Sequence, residues 1–314
     1  MKLIITADWH CTMKIPKCRQ DSFLNTQKKV LDYIFNYTKR NDAKLLIAGD
    51  VIDRAQPEKS QELECFLAEY FTSNSVDSYW ILGNHDLPYH RLDLLPKSSM
   101  GILDHFNKRR YKKEMVINNC YIQFVDYNEK IQEISEEFKK NKFKILMLHT
   151  YCEKTDLPVY IENGTTAQLL LDKNKDFDLI ITGDNHKHFY LENNSRFVVN
   201  PGCITRQKRD YQEYKPVVYI FDTDSKELSI THLPDLCDFT YIKEEKENSI
   251  EMDSFLQKIN PNYQITSTFG KDIDIIYKNT KVSQETKDYI DIFKNSDKRI
   301  QDTIEEYWKI IKEK

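Results

Sequence analysis

Glycine is scarce in this chain, with seven residues in 314, at 49, 83, 101, 164, 183, 202 and 270. The Gly-x-x-x-x-Gly-Lys-Ser/Thr pattern of an ATP-binding loop is absent, so any ATP-driven step belongs to a separate subunit. The seven cysteines, at 11, 18, 65, 120, 152, 203 and 237, never form a Cys-x-x-Cys pair. Their odd, scattered arrangement suggests neither a structural zinc site nor a disulfide framework, and fits a reducing compartment. No apolar run approaches the roughly 20 residues of a membrane span. The opening stretch Met1 to Asp8 has too short an apolar core for an export signal. We therefore expect a cytoplasmic protein with no membrane partner. A formal charge of −4 excludes a strongly basic coat, though two divalent cations among the carboxylates would bring the protein close to neutral.

Four of the seven glycines, 49, 83, 183 and 202, fall at the ends of apolar runs beside acidic, amide or histidine residues. Those are positions where backbone turns tightly to present ligands. The runs at 2–7, 44–48, 78–82, 143–148 and 178–182 read as buried strands. Helical spacing predicts helices over 21–39, 57–71, 100–106 and 129–140, with Pro57 at a first helical position. The run 114–125 alternates around Asn118-Asn119 as a hairpin. From 189 to 233 short strands follow one another, at 197–199, 217–221 and 228–233. This order predicts an α/β domain with mixed sheets over residues 1–234. Residues 235–314 form a second, charge-dense region with predicted helices at 249–259, 283–293 and 297–312, suited to capping a cleft or docking a partner.

The strands end in residues of one chemical kind: Asp8 and His10, Asp50, Asn84, His149, and Asp184 with His186. In an open α/β sheet such ends lie along one edge, so residues far apart in sequence converge. Oxygen and imidazole ligands without thiolate suit Mn²⁺, Fe²⁺ or Zn²⁺, with Mg²⁺ a poorer match. Asp50, central in the order, is the carboxylate expected to serve two ions. Ions about 3.5–4 Å apart would hold a bridging hydroxide for in-line attack on a phosphoester. His85, beside a ligand, would assist the leaving oxygen.

Asp8-x-His10, Gly49-Asp50, Gly83-Asn84-His85-Asp86, His149 and a late glycine-histidine motif, in this order, resemble the calcineurin-like metallophosphoesterase superfamily. The resemblance covers about residues 1–234. It implies a four-layer αββα sandwich of two mixed sheets, with a small α-rich C-terminal accessory region. It also implies a dinuclear site, Mn²⁺ foremost, with Asp8, His10, Asp50 and His186 on one ion and Asp50, Asn84, His149 and Asp184 on the other. The superfamily usually reads Gly-His-x-His where this chain has Gly183-Asp184-Asn185-His186. Asp184 thus replaces a histidine, which hardens the second position and disfavours zinc; alternatively the motif slides by two and His186 pairs with His188. The first register keeps the strand-to-ligand turn short and is preferred.

Within the superfamily, the stretches 45–57 and 81–88 most resemble SbcD-like DNA-repair nucleases. That resemblance implies DNA as substrate, an SMC-like ATPase as partner, and a homodimer as a further expectation. Lys14, Lys17, Arg19, Arg91, Arg206, Lys208 and Arg209 follow the ligand loops and suit backbone phosphates, with Tyr89, Tyr211 and Tyr214 placed to stack on bases. The run Lys108 to Lys113 is the most basic in the chain. A phosphoprotein or small-molecule phosphoesterase is the alternative, since Gly49-Asp50-Val51-Ile52-Asp53-Arg54 also resembles the phosphoprotein phosphatases. Those typically carry glutamate where this chain has Asp86. A non-catalytic scaffold on the same fold would require lost ligands.

Overall fold

The computed structural model describes residues 1–56, 60–72, 76–106, 113–158, 161 and 163–234. The chain divides into two units, Met1–Tyr241 and Ile242–Lys314, and every described residue lies in the first. Pro57, most of the basic run and the expected C-terminal helices lie outside the described residues.

In chain order the elements are β1 (Lys2–Thr6), α1 (Phe23–Arg40), β2 (Lys44–Ile47), α2 (Ser60–Thr72), β3 (Ser78–Trp80) and α3 (Ser99–Phe106). They continue with β4 (Glu114–Ile117), β5 (Cys120–Val125), α4 (Glu136–Lys139), β6 (Phe143–His149), β7 (Cys152–Glu153), β8 (Thr165–Thr166) and α5 (Ala167–Lys173). The last are β9 (Leu179–Gly183), β10 (Phe189–Asn193), β11 (Arg196–Asn200), β12 (Val217–Asp222) and β13 (Glu227–His232). One sheet has the order β13-β12-β1-β2-β3 and the other β10-β11-β9-β6-β5-β4, while β7 and β8 pair separately. Both large sheets are mixed: in the first, β1, β2 and β3 run parallel to one edge while β12 and β13 add antiparallel at the other, and in the second the parallel run β11-β9-β6-β5 is flanked by antiparallel β10 and β4.

Strand periodicity sorts the apolar side chains into layers. Leu3, Ile5, Leu46, Ile122, Ile145 and Ile181 fill the space between the sheets. Ile4, Leu45 and Ile47 point the other way, against Val30, Leu31 and Ile34 of α1 and Leu63 and Leu67 of α2. On the far face of the second sheet, Leu146, Leu148 and Ile180 pack with Ala167, Leu170 and Leu171 of α5. The result is the expected αββα sandwich, each buried leucine or isoleucine contributing roughly 1.5–3 kcal/mol.

Two local expectations differ from the structure. The helix expected over 129–140 is confined to Glu136–Lys139. The Gln123 side chain bonds both backbone groups of Gln132, at 3.0 and 3.1 Å, which ties that stretch to β5 instead. Helix α5 was not anticipated; the Thr166 hydroxyl caps it by accepting the Leu169 N–H at 3.3 Å. The hairpin at Asn118-Asn119 has both residues at positive φ, 47° and 67°, as a type I′ turn requires.

Candidate metal centre

Parallel pairing aligns the carboxyl ends of β1, β2 and β3 in the first sheet and of β6 and β9 in the second, and residues at or just after these ends in the two sheets meet. The loops after β1 and β2 keep pairing beyond the strands: Asp8 N–H donates to Gly49 O, His10 N–H to Asp50 O and Cys11 N–H to Val51 O. Within this extended ladder, Asp8, His10 and Asp50 are held at φ 49°, 43° and 51°, and Asp184 after β9 at 78°. Left-handed backbone at a non-glycine residue costs of order 1 kcal/mol each, and such strain concentrates at functional sites. Gly83 makes the closest approach. A Cβ there would stand 2.0 Å from Asp50 Oδ1, so the third loop passes directly over the aspartate.

Three sets of side chains converge. Ligand atoms of Asp8, His10 and His186 lie within 4.8 Å of one another, as do those of His10, Asp50 and His85, and those of Asp8, Asp50 and His149. Asn84 joins through its Oδ1, 3.0 Å from His149 Nε2. Asp184 stands outside these sets; its N–H donates to Asp8 Oδ1 at 3.0 Å, and its half-buried side chain lines the adjoining cleft with His149 and His186. His188 turns away, with Nδ1 3.2 Å from the Tyr219 hydroxyl and its ring packed against Tyr214 and Tyr219. Of the two possible registers, the structure therefore brings in His186 without His188.

The contacts within the cluster are ones that only a proton or a cation can reconcile. His149 Nδ1 donates to Ala48 O at 2.7 Å, which leaves Nε2 facing two acceptors, Asn84 Oδ1 and, at 3.4 Å, Asp50 Oδ2. His10 Nε2 faces His186 Nε2 at 3.0 Å. Asp8 Oδ2, Asp50 Oδ2 and His10 Nδ1 are buried without a hydrogen-bond partner, an arrangement that is costly unless a cation fills it. These residues fit divalent metal ions in number, type and placement.

The electrostatics of the metal-free protein agree. Burial pushes the Asp8 carboxyl up to about 8, against the pull of His149 and with the help of Asp50. Burial also holds His10 and His186 down, His186 to about 4 with a further contribution from Lys208, so both rings are neutral and free to act as ligands. Burial pulls His149 down as well, but the charge of the Asp50 carboxylate 3.4 Å away outweighs it and raises the ring to about 10. Asp50 is correspondingly held below the usual carboxylate range: burial alone would raise it, and the histidines overcome that.

His85 is exposed, and its Nδ1 is 2.6 Å from Asp53 O, so Nδ1–H donates there and Nε2 is left available for chemistry. Its own backbone N–H donates to Asp50 Oδ1 at 2.9 Å. The cleft beside the cluster has a volume of about 1200 Å³, and its lining includes His85, Tyr127, His149, Asp184, His186 and Lys208.

Some supporting residues were not legible as such in the sequence. Asp86 is fully buried and accepts from Ile52 N–H at 3.1 Å and Gly83 N–H at 2.9 Å, clamping two ligand loops together. The Gly-x-x-Asp spacing, which lets an aspartate reach back to the glycine amide, was the available signal. Asn200 holds the 183–188 loop by donating to Asn185 O at 2.6 Å and Lys187 O at 3.0 Å. Nothing in its sequence neighbourhood indicates that role. Two of the tyrosines considered for stacking are committed elsewhere: Tyr211 is buried beside His186, and the Tyr214 hydroxyl donates to Cys203 O. Tyr89 is 84% exposed.

A family model described as calcineurin-like phosphoesterase matches residues 1–188. No curated protein matches. Similar solved structures include an archaeal phosphodiesterase, 16% identical, with 74% of this chain and 100% of that chain covered and a TM-score of 0.40. Another is Vps29 from Entamoeba histolytica complexed with zinc, 12% identical, with 74% and 91% covered and a TM-score of 0.36.

Proposed function

This chain belongs to the calcineurin-like phosphoesterase family, whose members are metal-dependent hydrolases of phosphoesters, and from that premise we propose that it cleaves phosphodiester bonds of DNA with Mn²⁺ as its preferred metal. The observation that carries the chemistry is the convergence of Asp8, His10, Asp50, His149 and His186 with buried, unpartnered acceptor atoms. Support for DNA comes from the stretches 45–57 and 81–88, which resemble SbcD-like nucleases, and from a cleft open enough to take more than one nucleotide.

Bound divalent cations supply the positive charge that phosphoester oxygens require during hydrolysis. The protein's own side chains do the rest. The floor of Asp8, Asp50 and His149 is buried and its loops are hydrogen-bonded to one another, so the substrate meets preorganised charge. His85, its Nδ1–H directed to the Asp53 carbonyl, presents Nε2 toward the cleft and, as the imidazolium, gives its Nε2 proton to the leaving oxygen and is left as the neutral Nδ1–H ring. The expected second ligand set, Asp50, Asn84, His149 and Asp184, would offer three oxygen ligands to one imidazole, which would favour Mn²⁺ over Zn²⁺.

A second reading, a phosphoprotein or small-molecule phosphoesterase, is favoured by Glu129, Glu153 and Asp210 in the cleft lining, since these would repel a long polyanion. The deciding experiment measures nucleotide release from end-labelled linear DNA, with Mn²⁺, Mg²⁺ and EDTA compared. A small phosphodiester and a phosphopeptide run beside it, and His85→Ala serves as the contamination control. Mn²⁺-dependent DNA cleavage that the variant loses supports the nuclease; hydrolysis of a small ester with DNA left intact supports the second reading.

A further inference from the structure

Several basic side chains follow the ligand loops in sequence, and their surroundings separate them. Arg19 is buried and committed, with Nε and Nη2 on the Asp21 carboxylate at 2.8 and 2.7 Å and Nη1 on Arg206 O at 2.7 Å. Arg206 is itself buried and donates to Gln212 O. Arg91 pairs with Asp93 at 2.6 Å. Lys208 is different. It is exposed, and it lines both the large cleft and a smaller cavity of about 90 Å³ whose walls include His10, His85 and His186. No other lysine or arginine lines both spaces among the described residues.

Its ammonium lies against an aromatic face. Lys208 Nζ lies 5.8 Å from the centre of the Tyr211 ring, a distance at which the ring face attracts a cation. Tyr211 is buried, and its ring stands 5.9 Å from that of His186. Through Tyr211 the ammonium thus stands one side chain away from a residue of the centre, and its field reaches Asp184 and His186. Lys154 and Lys226 lie over Tyr190 and Phe143 at 5.7 and 5.8 Å, but neither lysine lines the cleft or the smaller cavity, so the ring contact matters at Lys208 because of where its ring stands.

We propose that Lys208, seated on Tyr211, is the phosphate-binding residue of this site: it receives a non-bridging oxygen of the substrate where the reacting cavity opens into the cleft. The proposal rests on the phosphoesterase reading and adds the residue that makes the site select anionic esters with a backbone continuing into the cleft. Lysine contributes as a point charge, so the effect is on binding and on its salt dependence more than on orientation.

Two measurements test it. In the first, inorganic phosphate is titrated calorimetrically into the Mn²⁺-loaded full-length protein and its Lys208→Ala and Lys208→Arg variants, with bound metal quantified in each. Lys208→Ala is expected to weaken phosphate about tenfold at unchanged metal content, and Lys208→Arg to restore most of it. In the second, kcat/KM on DNA is followed against salt. Lys208→Ala should lower it about tenfold, chiefly through KM, and reduce the slope of log kcat/KM on log salt by about 0.7–0.9, the signature of one lost phosphate contact. A purely structural role for Lys208 would leave that slope where it was.

Unchanged phosphate affinity and salt slope in Lys208→Ala, with hydrolysis intact, would overturn the proposal and leave the phosphoesterase reading standing. Wild-type protein that binds no phosphate overturns it as well. Lys208-dependent phosphate binding by a protein that hydrolyses no ester supports the binding role and removes the catalytic reading instead.

Discussion

On the floor of the centre, Asp8, Asp50 and His149 have side chains shut away from solvent, whereas at its mouth His85 and Lys208 are exposed. The floor is over-determined. Asp8 and Asp50 sit in left-handed conformations, and their loops are held by hydrogen bonds to one another, with the Asp86 carboxylate bridging the second loop to the third. The mouth is held lightly, His85 by a single ring hydrogen bond to Asp53 O and Lys208 by one aromatic face. The difference assigns labour: rigid, dehydrated groups suit holding cations, while accessible groups with one free polar end suit touching a substrate. Changes to the floor should therefore remove metal, and changes to the mouth should remove activity while leaving metal bound.

The largest effect is expected from Gly83→Ala. The new Cβ would meet Asp50 Oδ1 at 2.0 Å and Asp50 N at 2.5 Å, so the loop or the aspartate must move. We expect loss of bound metal by elemental analysis, activity at background, and a lowered melting temperature. Retention of a full metal complement would break the comparison, because it would mean that the floor does not depend on this close packing. His85→Ala comes next. A fall of about 10² to 10⁴ in kcat is expected at unchanged metal content, whereas metal lost along with activity would move His85 from the mouth to the floor.

The same comparison explains what was legible in the sequence. Strand ends were readable because five buried apolar runs each stop at an acidic, amide or imidazole residue, and a parallel sheet leaves such ends little choice of edge. The floor was therefore visible down to Asp8, His10, Asp50 and His149. What supports it was less visible. Asp86 and Asn200 act by reaching backbone groups of other loops, Ile52 N–H in one case and Lys187 O in the other, and such tertiary partners leave no local periodicity. The seven basic residues looked alike in sequence, and only their neighbours distinguish Arg19, committed to Asp21, from Lys208, which lines the cleft. For the same reason 129–135 read as helix: its polar composition suits one, but the Gln123 side chain, distant in sequence, occupies the Gln132 backbone.

A smaller and more diagnostic effect is expected for Asp8→Asn. In the metal-free protein burial pushes the Asp8 carboxyl up to about 8, while in the unfolded chain it sits near 3.8. A group raised on folding contributes least at high pH, so between about pH 4 and 8 the metal-free fold loses stability as pH rises, because Asp8 ionises in the unfolded chain while it stays protonated in the folded one. Asparagine removes that cost. The variant in EDTA at pH 8 should melt no lower than the wild type, yet lack the wild type's rise on adding Mn²⁺, about 5–10 °C at a hundredfold excess over Kd. A variant that melts lower in EDTA would show the Asp8 carboxylate stabilising the fold without metal, and would blur the line between floor and scaffold.

Asp21→Asn gives the smallest effect on chemistry and the sharpest control, because it alters a buried charged pair that holds no metal. Arg19 and Asp21 side chains are 1% and 10% exposed, with Nη2 and Oδ2 2.7 Å apart. Burial would raise the Asp21 carboxyl, but hydrogen bonds from Arg19 and Thr26 outweigh it and hold it below its usual range. A carboxyl lowered on folding contributes its full stability above its unfolded value of 3.8, and loses it as pH falls through the lower folded value. The variant should therefore be less stable than the wild type by about 2 kcal/mol at pH 7, by the same amount with EDTA as with Mn²⁺. The gap should narrow in acid denaturation below pH 4. Equal losses with and without metal would confine metal-linked stability to the floor. A loss that grows when Mn²⁺ is present would mean that the Arg19 loop, which donates to Arg206 O two residues before Lys208, transmits between the scaffold and the mouth.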